Sequence, residues 1–150
     1  MKKLLLSALL VLLAAALHAQ EFYRITDIDD GERALEVSAV SYLDASENPE
    51  NYDGKTVRFK GYIYRGRNIG KDEYVPGRMG MVCCAEDVRF VGFIAKANGL
   101  PIPQPKTWQM ITAEVKAEER TQYKGVGPVL YVTKIEPCEP PEEEVVTFNQ

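Results

Sequence analysis

Residues Thr56 to Arg65 alternate without a break: Val57, Phe59, Gly61 and Ile63 fall on one face, Arg58, Lys60, Tyr62 and Tyr64 on the other. A period of two over that length belongs to a strand with one face in a core and the other in water. Gly61 in its middle predicts a sharp bend. Further runs rich in Val, Ile, Phe, Tyr or Trp follow at Arg78–Cys84, Phe90–Ala97, Trp108–Ala117 and Pro128–Glu136, separated by Gly or Pro. Five short strands, the first bent, with no helical repeat between them, predict a mainly β domain. The expected architecture is a small five-stranded barrel over residues 53–137, of the oligonucleotide/oligosaccharide-binding (OB) type, with an open sandwich as the alternative. In an OB barrel the third and fifth strands run parallel.

Residues 20–52 read as a lead-in. Asp27, Asp29, Asp30 and Gly31 form a turn signal, and a short helix is expected around Ser38–Leu43 or restarted at Pro49. Past Pro137 the chain becomes an acidic, proline-rich tail over 138–150, in which Glu139, Pro140, Pro141 and the glutamates 142–144 cannot continue a strand. Val145, Val146 and Phe148 are the residues able to fold that tail back on the barrel.

The chain opens with Lys2 and Lys3, an apolar run from Leu4 to Leu17, and Ala19 before the polar Gln20. These are the three parts of a secretory leader, and the run is shorter than the roughly 20 residues of a membrane span. Residues 1–19 are therefore expected to be a cleaved signal peptide, although Ala16 with Ala14 behind it is also a sound cleavage point. No cysteine stands at this junction for lipid attachment, so the expected product is periplasmic or secreted, with no membrane anchor. The remainder suits one domain with its own core.

Charge and composition narrow the function. The net charge is −4 and becomes more negative when the two leader lysines leave, which argues against nucleic acid as a partner. The single histidine, His18, lies in or beside the leader. The folded domain is thus expected to lack Ser-His-Asp or Cys-His catalysis and histidine-based metal sites, and it is read as a non-enzyme.

The chemistry that remains centres on cysteine. Arg78–Asp87 carries Cys83, Cys84, Glu86 and Asp87, and Cys138 is the third thiol. One reading is a vicinal disulfide, strained because consecutive α-carbons are about 3.8 Å apart. A second is a disulfide from Cys138 to one of the pair, favoured by an oxidising compartment. A third is a metal site: thiolates suit zinc or copper(I), and Asp87, with Glu86 as substitute, adds a carboxylate. Neighbours on a regular strand point to opposite faces. Both sulfurs can therefore reach one ion only if the backbone turns at Cys84. A fourth reading makes the pair small buried fillers. In the metal reading Arg78 is a supporting residue whose charge lowers the thiol pKa. Separately, the loops Gly66–Gly77 and Arg120–Gly127 would flank the binding face of an OB barrel, and they carry Arg67, Lys71, Tyr74, Arg120, Tyr123 and Lys124. Those six could form a shallow site for a small anionic or sugar-like ligand, or could be ordinary solvated loop residues.

The order Gly54-Lys55-Thr56-Val57, then Gly61-Tyr62-Ile63-Tyr64-Arg65, then Arg78, Met81, Cys83-Cys84-Ala85 and Asp87, then Val91, Gly92, Trp108 and Val115 resembles a bacterial family. It is that of the soluble C-terminal domain of the YcgQ-like predicted membrane proteins. The resemblance runs from about Tyr52 to Pro137, and Cys-Cys-Ala-x-Asp is its most specific mark. It implies an envelope role near metal supply, with a membrane protein of permease type as partner, and no known reaction. This chain departs from the family in having a leader where members carry membrane spans, and in ending on Cys138 and an acidic tail. The leading expectation is an exported, non-catalytic barrel that binds zinc through Cys83 and Cys84, joined by Asp87 and Cys138. A partner- or ligand-binding barrel with structural cysteines is the first alternative, and a thiol redox protein the second, which the missing spaced redox motif disfavours.

Overall fold

The computed structural model describes residues 24–27, 33–36, 39–81 and 83–147, with side chains from residue 43 onward. The leader, His18 and Phe148 lie outside the described residues. The elements in chain order are β1 (Arg24–Asp27), β2 (Arg33–Glu36), α1 (Ala39–Glu47), a 3-10 turn (Pro49–Tyr52), β3 (Thr56–Tyr64) and β4 (Glu73–Met81). A second 3-10 turn (Ala85–Asp87) follows, then β5 (Val88–Gly92), β6 (Ile94–Lys96), β7 (Trp108–Arg120), a third 3-10 turn (Thr121–Tyr123), β8 (Gly125–Pro137) and β9 (Val145–Thr147).

The fold is mainly β and closes into a five-stranded barrel. β3 pairs antiparallel with β7 over Thr56–Tyr62 and with β4 over Tyr62–Tyr64, so this one strand serves two neighbours. β5 and β6 together make the third barrel strand, broken at Phe93. β6 pairs with β4 on one side and, in parallel, with β8 on the other. β7 and β8 form a long antiparallel hairpin. The parallel pairing of the third and fifth barrel strands is the one the sequence led us to expect. β3 changes partner at Tyr62, next to Gly61, and Gly61 has a steric reason to be glycine: a Cβ there would stand 2.7 Å from Cβ of Pro76. On the same account Gly77 lets β4 and β5 close up, because a Cβ would meet the Val91 carbonyl oxygen at 2.1 Å.

The inner face is built from the alternation that defined β3. Val57, Phe59 and Ile63 meet Ile111, Ala113 and Val115 of β7 and Leu130 and Val132 of β8 in one core. Burying each large aliphatic side chain contributes about 1.5–3 kcal/mol. β7 and β8 slip register between Thr112 and Ala113, which leaves Thr133 as an extra residue and bends the hairpin around the core. α1 and its following turn place Ala45 and Tyr52 against one end of that core. The Tyr52 hydroxyl is anchored on Asp44 at 2.7 Å.

Several boundaries differ from expectation. β4 starts five residues before Arg78, at Glu73, because Pro76 and Gly77 are ladder residues, opposite Ile63 and Tyr62, and not loop punctuation. The lead-in is more than a turn and a helix: β1 and β2 pair with each other, and β2 extends the sheet in parallel beside β3, Leu35 opposite Val57. The tail also gains a strand, with β9 lying parallel to β4 from Met79 to Met81.

Candidate functional site

β4 ends at Met81, and the chain turns before β5 begins at Val88. The turn is made by the 3-10 segment Ala85–Asp87, capped by Cys84 in extended backbone and closed by the Asp87 amide donating to the Cys84 carbonyl at 2.9 Å. Because the strand has already ended, the two cysteines escape the alternation that would send them to opposite faces. Their sulfurs stand 3.4 Å apart, with the Cys83 thiol donating to Cys84, and a second contact of 3.8 Å joins the Cys83 sulfur to Asp87 Oδ2. The other oxygen of Asp87 pairs with Arg89 Nη2 at 3.0 Å.

Both cysteines are exposed and free. The hydrogen bond to Cys84, followed by desolvation and the negative charge of Asp87, holds the Cys83 thiol above its ordinary pKa. At neutral pH Cys83 is therefore a protonated thiol. The vicinal pair is not bonded, since a disulfide needs about 2.05 Å. The buried-filler reading fails on exposure.

The dimensions can be tested against an ion. Two thiolate sulfurs about 2.3 Å from a tetrahedral zinc stand about 3.8 Å apart, and a sulfur and a carboxylate oxygen about 3.5 Å apart. The observed sulfur–sulfur distance of 3.4 Å is shorter than the first edge and the sulfur–oxygen distance of 3.8 Å longer than the second, so the turn brings Cys83 near both other side chains without the dimensions of a formed site. Among the described residues, no group of three or more His, Cys, Asp or Glu side chains already converges on one point.

A family model described as the DUF1980 C-terminal domain matches residues 18–147. The chain belongs to that family. Among curated proteins nothing matches it. The match spans every described residue of the DUF1980 C-terminal domain, β1 and β9 included, and agrees with the resemblance to the C-terminal domain of the YcgQ-like proteins.

The remaining residues singled out by sequence lie elsewhere in the DUF1980 C-terminal domain. Cys138 follows β8, where its amide donates to the Trp108 carbonyl at 3.3 Å, and burial raises its thiol pKa. It is free, so the disulfide to Cys83 or Cys84 is not formed. Arg78 does not serve the thiols. Its Nη2 donates to the Glu143 carbonyl and its guanidinium lies 6.0 Å from the Trp108 ring centre. It thus clasps the acidic tail, and the Cys83 pKa is raised where its charge was expected to lower it. Glu86 is exposed on the turn.

The two loops do meet: Gln122 Nε2 donates to the Asn68 carbonyl at 2.6 Å. Their aromatic and basic residues, however, are committed to the fold. Tyr74 is 1% exposed in the core. Arg120 gives both Glu73 oxygens a hydrogen bond, at 2.7 and 2.8 Å, and the Gly70 amide adds another at 2.7 Å. The Tyr123 hydroxyl accepts from the Ile94 amide and donates to the Pro128 carbonyl, both at 2.8 Å. Burial pushes the Tyr74 and Tyr123 phenols up to about 12. Arg67, Lys71 and Lys124 alone of the six are exposed.

Sequence reasoning missed two polar clusters. Glu73, buried under Arg120, was assigned to a loop because Pro76 and Gly77 hid the strand. Lys96, Glu118 and Tyr131 meet on the outer wall, Lys96 Nζ 3.1 Å from Glu118 and 2.7 Å from the Tyr131 hydroxyl, with Lys116 Nζ 4.4 Å from the same ring's centre. The parallel pairing of β6 with β8 sets Lys96 opposite Tyr131, a register that local sequence does not reveal.

Proposed function

We propose that this DUF1980 C-terminal domain is an exported, non-catalytic barrel that binds a transition-metal ion, zinc first, on the turn between β4 and β5. Cys83 and Cys84 supply two thiolates and Asp87 an oxygen. The observation that carries the proposal is the pair of distances at the turn, 3.4 Å between the sulfurs and 3.8 Å from Cys83 to Asp87. Adjacent cysteines that strand alternation would separate lie with their sulfurs in contact, and a carboxylate stands beside one of them. Cys138 is left out, because its backbone is tied to Trp108 at the root of the tail. Thiolates are soft donors, and the same pair also suits copper(I).

Export is supported by the leader pattern of residues 1–19, and no helix among the described residues is long and apolar enough to cross a membrane. The loop-based ligand site is the weaker reading, since Tyr74, Arg120 and Tyr123 already serve the core and the loop junction.

Zinc titration of the reduced chain with single serine variants tests the assignment. One ion per chain is expected. Binding should be lost in Cys83→Ser and Cys84→Ser, weakened in Asp87→Asn, and unchanged in Cys138→Ser. Equal binding by Cys83→Ser and the parent chain would contradict the proposal.

A further inference from the structure

We infer that the free edge of β4 at Met79–Met81 is a strand-binding site, which residues 145–147 of a second copy of this chain fill in exchange for the chain's own. The inference is independent of the metal reading above. β3 lies beside β4 only from Val75 to Gly77, the rest of its length being paired with β7, so past Gly77 one edge of β4 has no barrel strand against it. β5 holds the other edge of the same residues. An uncovered edge is a template for an extended strand. β9 supplies that strand in parallel, with Val145 beside Met79 and Thr147 beside Met81.

The seat recognises main chain. Arg78 Nη2 grips the Glu143 carbonyl and not a carboxylate, and the ladder with β4 is a backbone pairing. Val145 and the glutamates 142–144 are exposed. The same contacts are therefore open to the same segment arriving from another chain.

The connection to β9 favours the exchange. β8 is antiparallel to β7, β7 to β3 and β3 to β4, so β8 and β4 run in opposite senses, and β9, parallel to β4, runs back against β8. The reversal falls on residues 138–144, which follow Pro137 and contain Pro140, Pro141 and four glutamates. Each proline fixes φ and the like charges repel, so this hinge favours an extended form over a folded one. When two copies cross their tails, each hinge opens and both seats are filled, which gives a closed two-fold dimer. The second copy competes with the local concentration of the chain's own tail, on the order of mM for a short linker. The dimer is therefore expected at high protein concentration.

Crosslinking between chains tests this directly. In a full-length chain whose three cysteines are replaced by serine, Met79→Cys and Val145→Cys are made singly and together. The two positions are register partners and are 39% and 42% exposed. The single variants are mixed at about 1 mM, incubated, diluted and oxidised. A covalent heterodimer is expected, and light scattering of the parent chain should show dimer at about 1 mM and monomer at about 1 μM. Arg67→Cys, in the loop at the other end of β4, should lose this product when mixed with Val145→Cys. The double variant should crosslink within one chain when dilute. If it does so while the mixture gives no heterodimer and the parent chain stays monomeric at about 1 mM, the tail belongs permanently to its own barrel and the exchange is overturned. No crosslink in either case would overturn the β4 edge as the seat of the tail, and the exchange with it.

Discussion

Asp87 faces a thiol with one carboxylate oxygen and a guanidinium with the other, and this division sets the reactivity of the turn. Its charge, acting with the Cys84 hydrogen bond, favours the protonated form of Cys83. Asp87→Asn removes the charge and is expected to lower the Cys83 pKa, so alkylation by iodoacetamide at pH 8 should be faster than in the parent chain. An unchanged or slower rate would show that Asp87 does not act on the thiol. Arg120 is the other residue whose partner matters. It pairs with Glu73, whose side chain is 7% exposed, whereas the Lys116–Glu114 pair is about half exposed and 3.9 Å apart. Arg120→Ala leaves a buried carboxylate without its partner and should cost about 3–5 kcal/mol in chemical denaturation. Lys116→Ala should cost less than about 1 kcal/mol. Similar losses for the two variants would contradict the buried-pair reading.

At the scale of elements, the strands differ in how firmly they are held. β7 and β8 pair with each other over most of their length and carry Ile111, Val115 and Leu130 into the core. β9 rests on β4 through three register pairs and the Arg78 contact to Glu143, with Val145 exposed. Amide exchange is therefore expected to be fastest in residues 145–147 and slowest in the centre of β7 and β8. Equal protection would mean that the tail is an integral barrel strand. Such differences also explain what sequence could and could not reveal. The alternation of β3 was legible because a period of two is a local signal. β1, β2 and β9 were not. They are short and have little alternation, and they exist because a sheet edge is available to pair with, a condition no window of sequence contains. Pro76 and Gly77 misplaced the start of β4 for a related reason: their cross-strand neighbours Ile63 and Tyr62 decide their conformation.

For the molecule as a whole, closure of the barrel buries phenols that sequence had assigned to ligand loops. Tyr74 and Tyr123 have pKa values of about 12, above the unfolded value of about 10, so the folded state favours the neutral forms. Their stabilising contribution is complete below about pH 10 and is lost as pH rises toward 12. Alkaline titration by ultraviolet absorbance should show a late group of tyrosines that ionises together with loss of structure. Ionisation of all eight in one early, reversible step would contradict the burial of these two. The candidate metal turn lies at the barrel's surface, outside this core. Its composition was legible from sequence, but the approach of its sulfurs was not, because that depends on where β4 stops.

The central claim is that the Cys83–Cys84 turn holds a metal ion. The most direct measurement is elemental metal content, with free-thiol titration, on chain purified without chelator beside a Cys83→Ser, Cys84→Ser double variant. Near-stoichiometric zinc in the parent, absent from the variant while its fold is retained, is the expected result. Metal-free parent chain with three titratable thiols that takes up no zinc when offered it would contradict the account.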